Sequence, residues 1–395
     1  MSLSDVIELV STRGTDVAAS RVGADATAAR QIDAGRLPNP ELSLTAEDFG
    51  GQGARRGFTT AQTTLQLSQA IPLTRRLGHE EAVARGEHDV AQREHEIKRL
   101  EVLADATRTF IALLVAQKRA ALADDQLSLV ERLAAAERAQ VEAGQVAPYE
   151  RSRAVAAVAE ARLRAAEARR EIQVLRQRLA AFWNADAVAF REVTGDLSRL
   201  PPVPALSNLL QRLETSPEFV RDAAEIDLRR SALALERART VPDLTVSAGV
   251  RRYEDEDNYA FVVGVAIPIR IFNRGQGAVL EADLKQQQAE LQLATARKRL
   301  TAAISENVEK LTATAAEIET IRGTLIPSSE ESLSALREGY RLRRFPLSEL
   351  LIAEQSLNAL RDKLLTTLGT YHQSYSDLEQ LLGGALEGQP ASEPR

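Results

Sequence analysis

The run Tyr259-Ala260-Phe261-Val262-Val263-Gly264-Val265-Ala266-Ile267-Pro268-Ile269 decides the fold. Tyr259, Phe261, Val263, Val265, Ile267 and Ile269 fall on one face of an extended chain. Ala260, Val262, Gly264, Ala266 and Arg270 fall on the other. Side chains of a strand point alternately to its two faces, so large apolar residues on one face and small or polar ones on the other mean two different environments. Upstream, Leu244, Val246, Ala248 and Val250 alternate with Thr245, Ser247, Gly249 and Arg251. Glu254-Asp255-Glu256-Asp257-Asn258 joins the two runs, so Val241 to Phe272 reads as a β-hairpin. A second window, Pro40 to Pro72, behaves alike. There Ala61, Thr63, Leu65, Leu67 and Ile71 alternate with Thr60, Gln62, Thr64, Gln66 and Ser68. Leu42 and Leu44 begin its partner strand, and the turn is expected at Asp48-Phe49-Gly50-Gly51-Gln52-Gly53.

Outside these windows the pattern is helical. From Arg75 to Val141 there is no Pro, and Gly occurs only at 78 and 86. At ~1.5 Å per residue this predicts a rod of roughly 100 Å. Val83, Val90 and Ile97 step by seven along it, a coiled-coil seam that continues through Leu103, Phe110 and Leu114. Gly144-Gln145-Val146-Ala147-Pro148 breaks the rod, and helix resumes from Tyr149 to about Trp183. Residues 184–204, with Val193-Thr194-Gly195-Asp196-Leu197 and Pro201-Pro202-Val203-Pro204, cannot be one helix. Further helices are expected from Ala205 to Arg239, interrupted at Pro217, from Gln276 to Gly339, and from Leu347 to Leu382. Pro327 should kink or break the second of these.

The halves repeat each other. Leu37-Pro38-Asn39-Pro40-Glu41-Leu42 resembles Val241-Pro242-Asp243-Leu244, and Ala70-Ile71-Pro72-Leu73 resembles Ala266-Ile267-Pro268-Ile269. Each rod breaks at a turn containing Pro, at Pro148 and at Pro346, and the same spacing separates Glu150 from Glu349 and Ala154 from Ala353. The expected organisation is a first repeat, 1–204, with its hairpin at 40–72, a helical turn near 144–149 and an equatorial segment at 184–204. A second repeat, 205–383, has its hairpin at 241–272 and its turn near 342–347, and a disordered tail covers 384–395.

Composition narrows the function. The 395 residues include no Cys, carry a net charge of −6 and are only 4% aromatic. No disulfide framework, thiolate metal site or Cys nucleophile is available. The acidic balance gives no reason to bind nucleic acid. No apolar run is long enough for a transmembrane helix. Met1-Ser2-Leu3-Ser4-Asp5 lacks the regions of a signal peptide, which fits a cytoplasmic chain or one without its leader. There is no phosphate-binding loop, no zinc-ligand spacing and no Gly-x-Ser-x-Gly, so neither an enzyme nor a cofactor is expected. Four strands with an apolar face cannot stand in water as isolated hairpins, nor close a barrel alone. Three copies would supply twelve strands, enough for a closed barrel without edges in an outer membrane.

With these features the chain resembles the TolC-type outer-membrane efflux factor family over nearly its whole length. Leu37 to Leu42, Glu47-Asp48-Phe49-Gly50-Gly51, Val193 to Leu197 and Ile271-Phe272-Asn273-Arg274-Gly275-Gln276-Gly277 are similar to the branch serving heavy-metal pumps of the resistance-nodulation-division type. The last motif has Asn273 where that branch usually has Asp. The resemblance implies a mixed α and β fold, mainly long helices. It implies a homotrimeric 12-stranded barrel in the outer membrane of a Gram-negative bacterium, with four strands per chain and a helical tunnel in the periplasm. It also implies a periplasmic adaptor that links the tunnel to an inner-membrane pump, and a passive conduit for divalent metal cations.

The resemblance further implies that the two rod turns form the adaptor-contacting tip. These are Gly144, Gln145, Val146 and Ala147, then Arg343, Phe345 and Pro346; Arg343 stands where a Gly is common. Glu349 matches the acid that lines the entrance constriction, where threefold symmetry would make a cation-attracting ring. Glu150 holds the equivalent place, or pairs with Arg153 or Arg344 to hold the tip shut. For both acids the alternative is a solvated helix face. His88 and His95, seven apart beside His79 and Glu80-Glu81, are ~10.5 Å apart along a helix, too far to share one ion, and read as part of a charged face. Glu254 to Asp257 read as an exposed loop. A soluble coiled-coil scaffold would account for the rods but not for two windows of period two at matching places. Drugs or secreted polypeptides are the alternative cargo.

Overall fold

The computed structural model describes residues 1–386 apart from Asp186 and Arg343, with the backbone alone at Ala54. In chain order the elements are α1 (Leu3–Arg13), α2 (Thr15–Asp33), β1 (Glu41–Glu47), β2 (Gln62–Ile71), α3 (Arg76–Glu142), α4 (Tyr149–Ala181), α5 (Leu206–Gln211), α6 (Pro217–Arg239), β3 (Leu244–Tyr253), β4 (Asn258–Ala266), α7 (Gln276–Thr320), α8 (Ile326–Arg341) and α9 (Leu347–Leu382). Two compact units result. One comprises residues 1–20, 95–218 and 297–395; the other comprises 21–94 and 219–296. Each unit draws on both halves of the chain.

The second unit holds the sheet. Its four antiparallel strands run in the order β1-β2-β3-β4. Register aligns Leu42, Leu67, Ala248 and Val263 in one cross-strand row, and Leu44, Leu65, Val250 and Phe261 in the next. The opposite face carries Ser43, Gln66 and Gly249 in one row and Thr45, Thr64 and Arg251 in another. Gly249 is required there, because a Cβ would lie 2.4 Å from the Leu65 carbonyl oxygen.

Both hairpins differ in detail from expectation. The β1–β2 connection is longer than the predicted Asp48–Gly53 turn and runs on to Ala61, through a short 3-10 turn at Gly53–Arg55. Thr60 and Ala61 therefore lie outside the strand. Two local forces build this loop: Phe49 stacks on Phe58 with centroids 5.5 Å apart, and the Gly50 N–H donates to the Gly57 carbonyl at 2.8 Å. Strand β4 ends at Ala266, so Ile267 and Ile269 continue the apolar pattern beyond the sheet.

In the same unit, His88 of α3 meets α2. The Thr27 hydroxyl donates to the Ala24 carbonyl at 2.6 Å, and His88 Nδ1 lies 3.1 Å from that hydroxyl and 3.2 Å from the same carbonyl. Nδ1 is thus shared between the Thr27 hydroxyl and the Ala24 carbonyl. His95 Nδ1 meets the Ser20 hydroxyl at 2.7 Å, a contact that belongs to the first unit. The expected charged face is thus a pair of helix-to-helix hydrogen bonds.

In the first unit, Val130, Ala154, Ala161, Leu333, Leu347, Leu350 and Leu357 pack α3, α4, α8 and α9 into one core. Repeated Ala lets the helices approach closely. The segment after α4 docks on this helical layer. Gln117 binds Val193 twice, amide to carbonyl and carbonyl to N–H, at 3.0 Å each. A Cβ on Gly195 would lie 3.0 Å from Leu114. His372 Nε2 meets the Leu197 carbonyl at 3.0 Å, and burial keeps its imidazole pKa low despite that bond.

The helix expected to break near Pro327 is interrupted just before it, α7 ending at Thr320. The chain takes one π turn, Ile321–Leu325, and continues as α8 with Pro327 in its first turn. There the missing N–H breaks no i→i−4 ladder. Pro217 likewise starts α6. Within the segment expected to be a tail, 384–395, Leu386 is buried, and residues 387–395 lie outside the described chain.

Candidate functional site

Two surfaces stand out. The first is the apolar face of the sheet. Phe261 is 90% exposed, Val263 76% and Leu42 68%, and Leu44, Leu65, Leu67, Tyr259 and Val265 are also exposed. Such an apolar patch marks a surface made for a nonaqueous neighbour. The opposite face is hydrophilic. Arg251 there donates from Nε to the Thr64 hydroxyl at 2.9 Å and from Nη1 to Gln62 Oε1 at 3.2 Å, and lies 3.4 Å from Glu47. Beyond the strands, Glu254 to Asp257 form an exposed turn, and Arg252 pairs with Glu254 at 3.2 Å and with Asp257 at 3.4 Å. In the exit motif, Asn273 Oδ1 accepts from the Gly275 N–H at 3.0 Å, where Gly275 has φ +80°. Only a side-chain acceptor is used, so Asn serves where Asp is usual.

The second surface is the pair of helical turns in the first unit. Gly144, at φ +67°, ends α3: its N–H donates to the Val141 carbonyl at 3.0 Å, and the Gln145 N–H donates to the Gln140 carbonyl at 2.9 Å. This is a Schellman closure, which needs a left-handed residue at that place. In the other turn the Arg344 N–H returns to the Gly339 carbonyl at 2.8 Å. The Phe345 ring lies against Gly339, where a Cβ would come within 2.3 Å of it. Pro148 and Pro346 then cap α4 and α9. Arg343 lies outside the described residues.

The remaining site residues separate. Glu349 is exposed on the first turn of α9, and Arg153 and Arg344 are exposed as well. Glu150 is only 7% exposed, and its Oε2 has no hydrogen-bond partner. The expected alternative pairing of Glu150 with Arg153 or Arg344 is not formed. The two acids at equivalent repeat positions therefore sit in opposite environments. Sequence reasoning missed three groups nearby. Glu137 is 2% exposed and accepts from the Tyr340 hydroxyl at 2.8 Å. Burial first, and that hydrogen bond second, push the Tyr340 phenol up to about 12. Glu354 is buried and takes both Nε and Nη2 of Arg337, at 3.1 and 2.5 Å. Gly339, with the Phe345 ring packed on it, is the third. Among the described residues, no group of three or more His, Asp or Glu is placed to hold a metal ion, and no helix is long and apolar enough to cross a membrane.

A mainly helical chain bearing a small antiparallel sheet, apolar on its exposed face and polar behind, has the architecture of outer-membrane channel proteins. The chain belongs to the outer membrane efflux protein family, which matches residues 6–185 and again 208–384. It is 30% identical to the cobalt-zinc-cadmium resistance protein CzcC of Cupriavidus metallidurans over 97% of this chain and 90% of that protein. It is 27% identical to the nickel-cobalt-cadmium resistance protein NccC of Alcaligenes xylosoxydans xylosoxydans over 74% of this chain and 65% of the other. Its fold superimposes on the transmembrane channel protein CusC with a TM-score of 0.84 at 17% identity, covering 97% and 92% of the two chains. It superimposes on the outer membrane protein VceC of Vibrio cholerae with a TM-score of 0.80 at 18% identity, covering 98% and 97%.

Proposed function

We propose that this chain is the outer-membrane channel subunit of a tripartite efflux system and exports divalent heavy-metal cations. The observation that carries the reading is the sheet: its apolar face is exposed across all four strands, and β1 and β4 end it with no further partner among the described residues. Unpaired strand edges cannot face hydrocarbon, because each free backbone group there costs several kcal/mol. Pairing β4 of one copy with β1 of the next removes both edges. Three copies give twelve strands, with the row of Arg251 facing the lumen.

The double match of the family supports two repeats, 1–204 and 205–383. The long helices then form the periplasmic part, and the turns at 144–147 and 343–346 meet the adaptor that leads to the inner-membrane pump. Glu349, exposed beside the second turn, is the acid of the entrance ring. The metal-resistance relatives support metal as cargo over drugs or polypeptides. The test is the mass of the detergent-solubilised protein, with single-channel conductance of the same sample in a planar bilayer. A cation-conducting species of three times 43.1 kDa supports the channel. A water-soluble monomer without conductance overturns it. Loss of cobalt, zinc or cadmium resistance in a strain lacking the gene, with drug resistance intact, fixes the cargo.

A further inference from the structure

The exposed apolar face of the sheet does not stop where the strands do. Ile267 and Ile269 carry its pattern past the end of β4, and Ile269 and Phe272 are 83% and 93% exposed. Ile271 is exposed too, as is Leu73 beyond β2 at the same end of the sheet. Two cations stand in this ridge: Arg270 and Arg274 are exposed and form no ion pair among the described residues. Arg76 and Arg239, by contrast, are engaged, with Asp243 at 2.6 Å and with Glu236 at 2.8 Å. The Asn273–Gly275 turn folds the segment back. Arg270 Nη1 thereby lies 4.0 Å from where a Gly275 Cβ would stand, beside Arg274. At the opposite end of the sheet the charge is reversed, with the exposed acids Glu254 to Asp257.

We propose that Ile269, Phe272, Arg270 and Arg274 form a docking surface for an anionic phospholipid. The apolar side chains enter the bilayer, and the two guanidinium groups hold the headgroup phosphate. Two features select this occupant. The ridge continues the face read above as bilayer-facing, so it lies where that face ends and headgroups begin. Unpaired guanidinium groups on such a border match a phosphate, which they bind through parallel N–H donors, and they draw anionic lipid to the surface. The surface deepens the channel reading and rests on it.

The experiment equilibrates the full-length protein in mixed detergent micelles holding equal amounts of phosphatidylglycerol and phosphatidylcholine with the same acyl chains. Excess lipid is removed and the retained lipid is measured. Phosphatidylglycerol should be enriched roughly 25-fold, about fivefold for each of the two arginines. Arg270→Gln should lower the enrichment about fivefold, and Arg270→Gln with Arg274→Gln about 25-fold. Arg164→Gln, on α4 and paired with Glu160, should leave it unchanged. No enrichment by the wild type, or equal enrichment by the wild type and the double variant, overturns the proposal. So does loss of the native mass in the double variant, which would assign the ridge to a second copy of the chain. Conductance of the same samples in a phosphatidylcholine bilayer separates the two readings. A conducting protein without the enrichment loses only the lipid surface. A protein that neither conducts nor binds detergent loses the channel as well.

Discussion

Replacing Val263 by Arg tests the direction in which the sheet faces. Val263 is 76% exposed and lies in the row of Leu42, Leu67 and Ala248. That row is flanked by the Leu44 and Phe261 row on one side and by Val246 and Val265 on the other, so it lies well inside the apolar band. In a bilayer, an Arg at such a depth costs ~2–4 kcal/mol, roughly 6–12 kcal/mol for three copies. On a sheet facing water, the same change touches nothing and stays within about 0.5 kcal/mol. Val262→Arg is the control: it sits one residue away, opposite Gly249 on the polar face, and should cost no more than about 1 kcal/mol. The assay is refolding into lipid vesicles against urea, scored by the fraction that inserts. Val263→Arg should abolish insertion at urea concentrations where the wild type and Val262→Arg still insert. Equal insertion by the two variants, or greater damage from Val262→Arg, would refute the orientation.

Three further outcomes concern the helical turns of the first unit and the helices beside them. Gly339→Ala places a methyl group 2.3 Å from the Phe345 ring and should cost ~1–3 kcal/mol as the ring is displaced, visible as lower thermal stability and faster proteolysis at 342–346. Glu354→Ala leaves Arg337 without its buried acceptor and should destabilise by ~1–3 kcal/mol, discounted because the guanidinium is half exposed. A melting temperature equal to that of the wild type would contradict this. The Tyr340 phenol is raised in the fold from 10.0 to about 12, so the native state holds its proton longer than the unfolded chain. Its contribution is complete below pH 10 and is lost as pH climbs towards 12. Tyr340→Phe should remove that alkaline loss from a stability-versus-pH curve.

The sequence alone determined the two hairpins, the rods, the turns between them and the family. Each of these follows from a period or a breaker residue that acts locally. Alternation from Tyr259 to Val265 needs no neighbour to be read, nor does the Pro-free run of α3. Tertiary structure decided the rest. Where the helix is interrupted ahead of Pro327 was set by the π turn at Ile321–Leu325. The length of the β1–β2 loop depended on Phe49 meeting Phe58. Glu150 and Glu349 look alike at matching repeat positions, and only the packing of α3, α4, α8 and α9 buries one and exposes the other. Glu137, Gly339 and Glu354 carried no signal at all. An acid in a helix rich in acids is marked only by what covers it, and that is set by side chains far away in the chain.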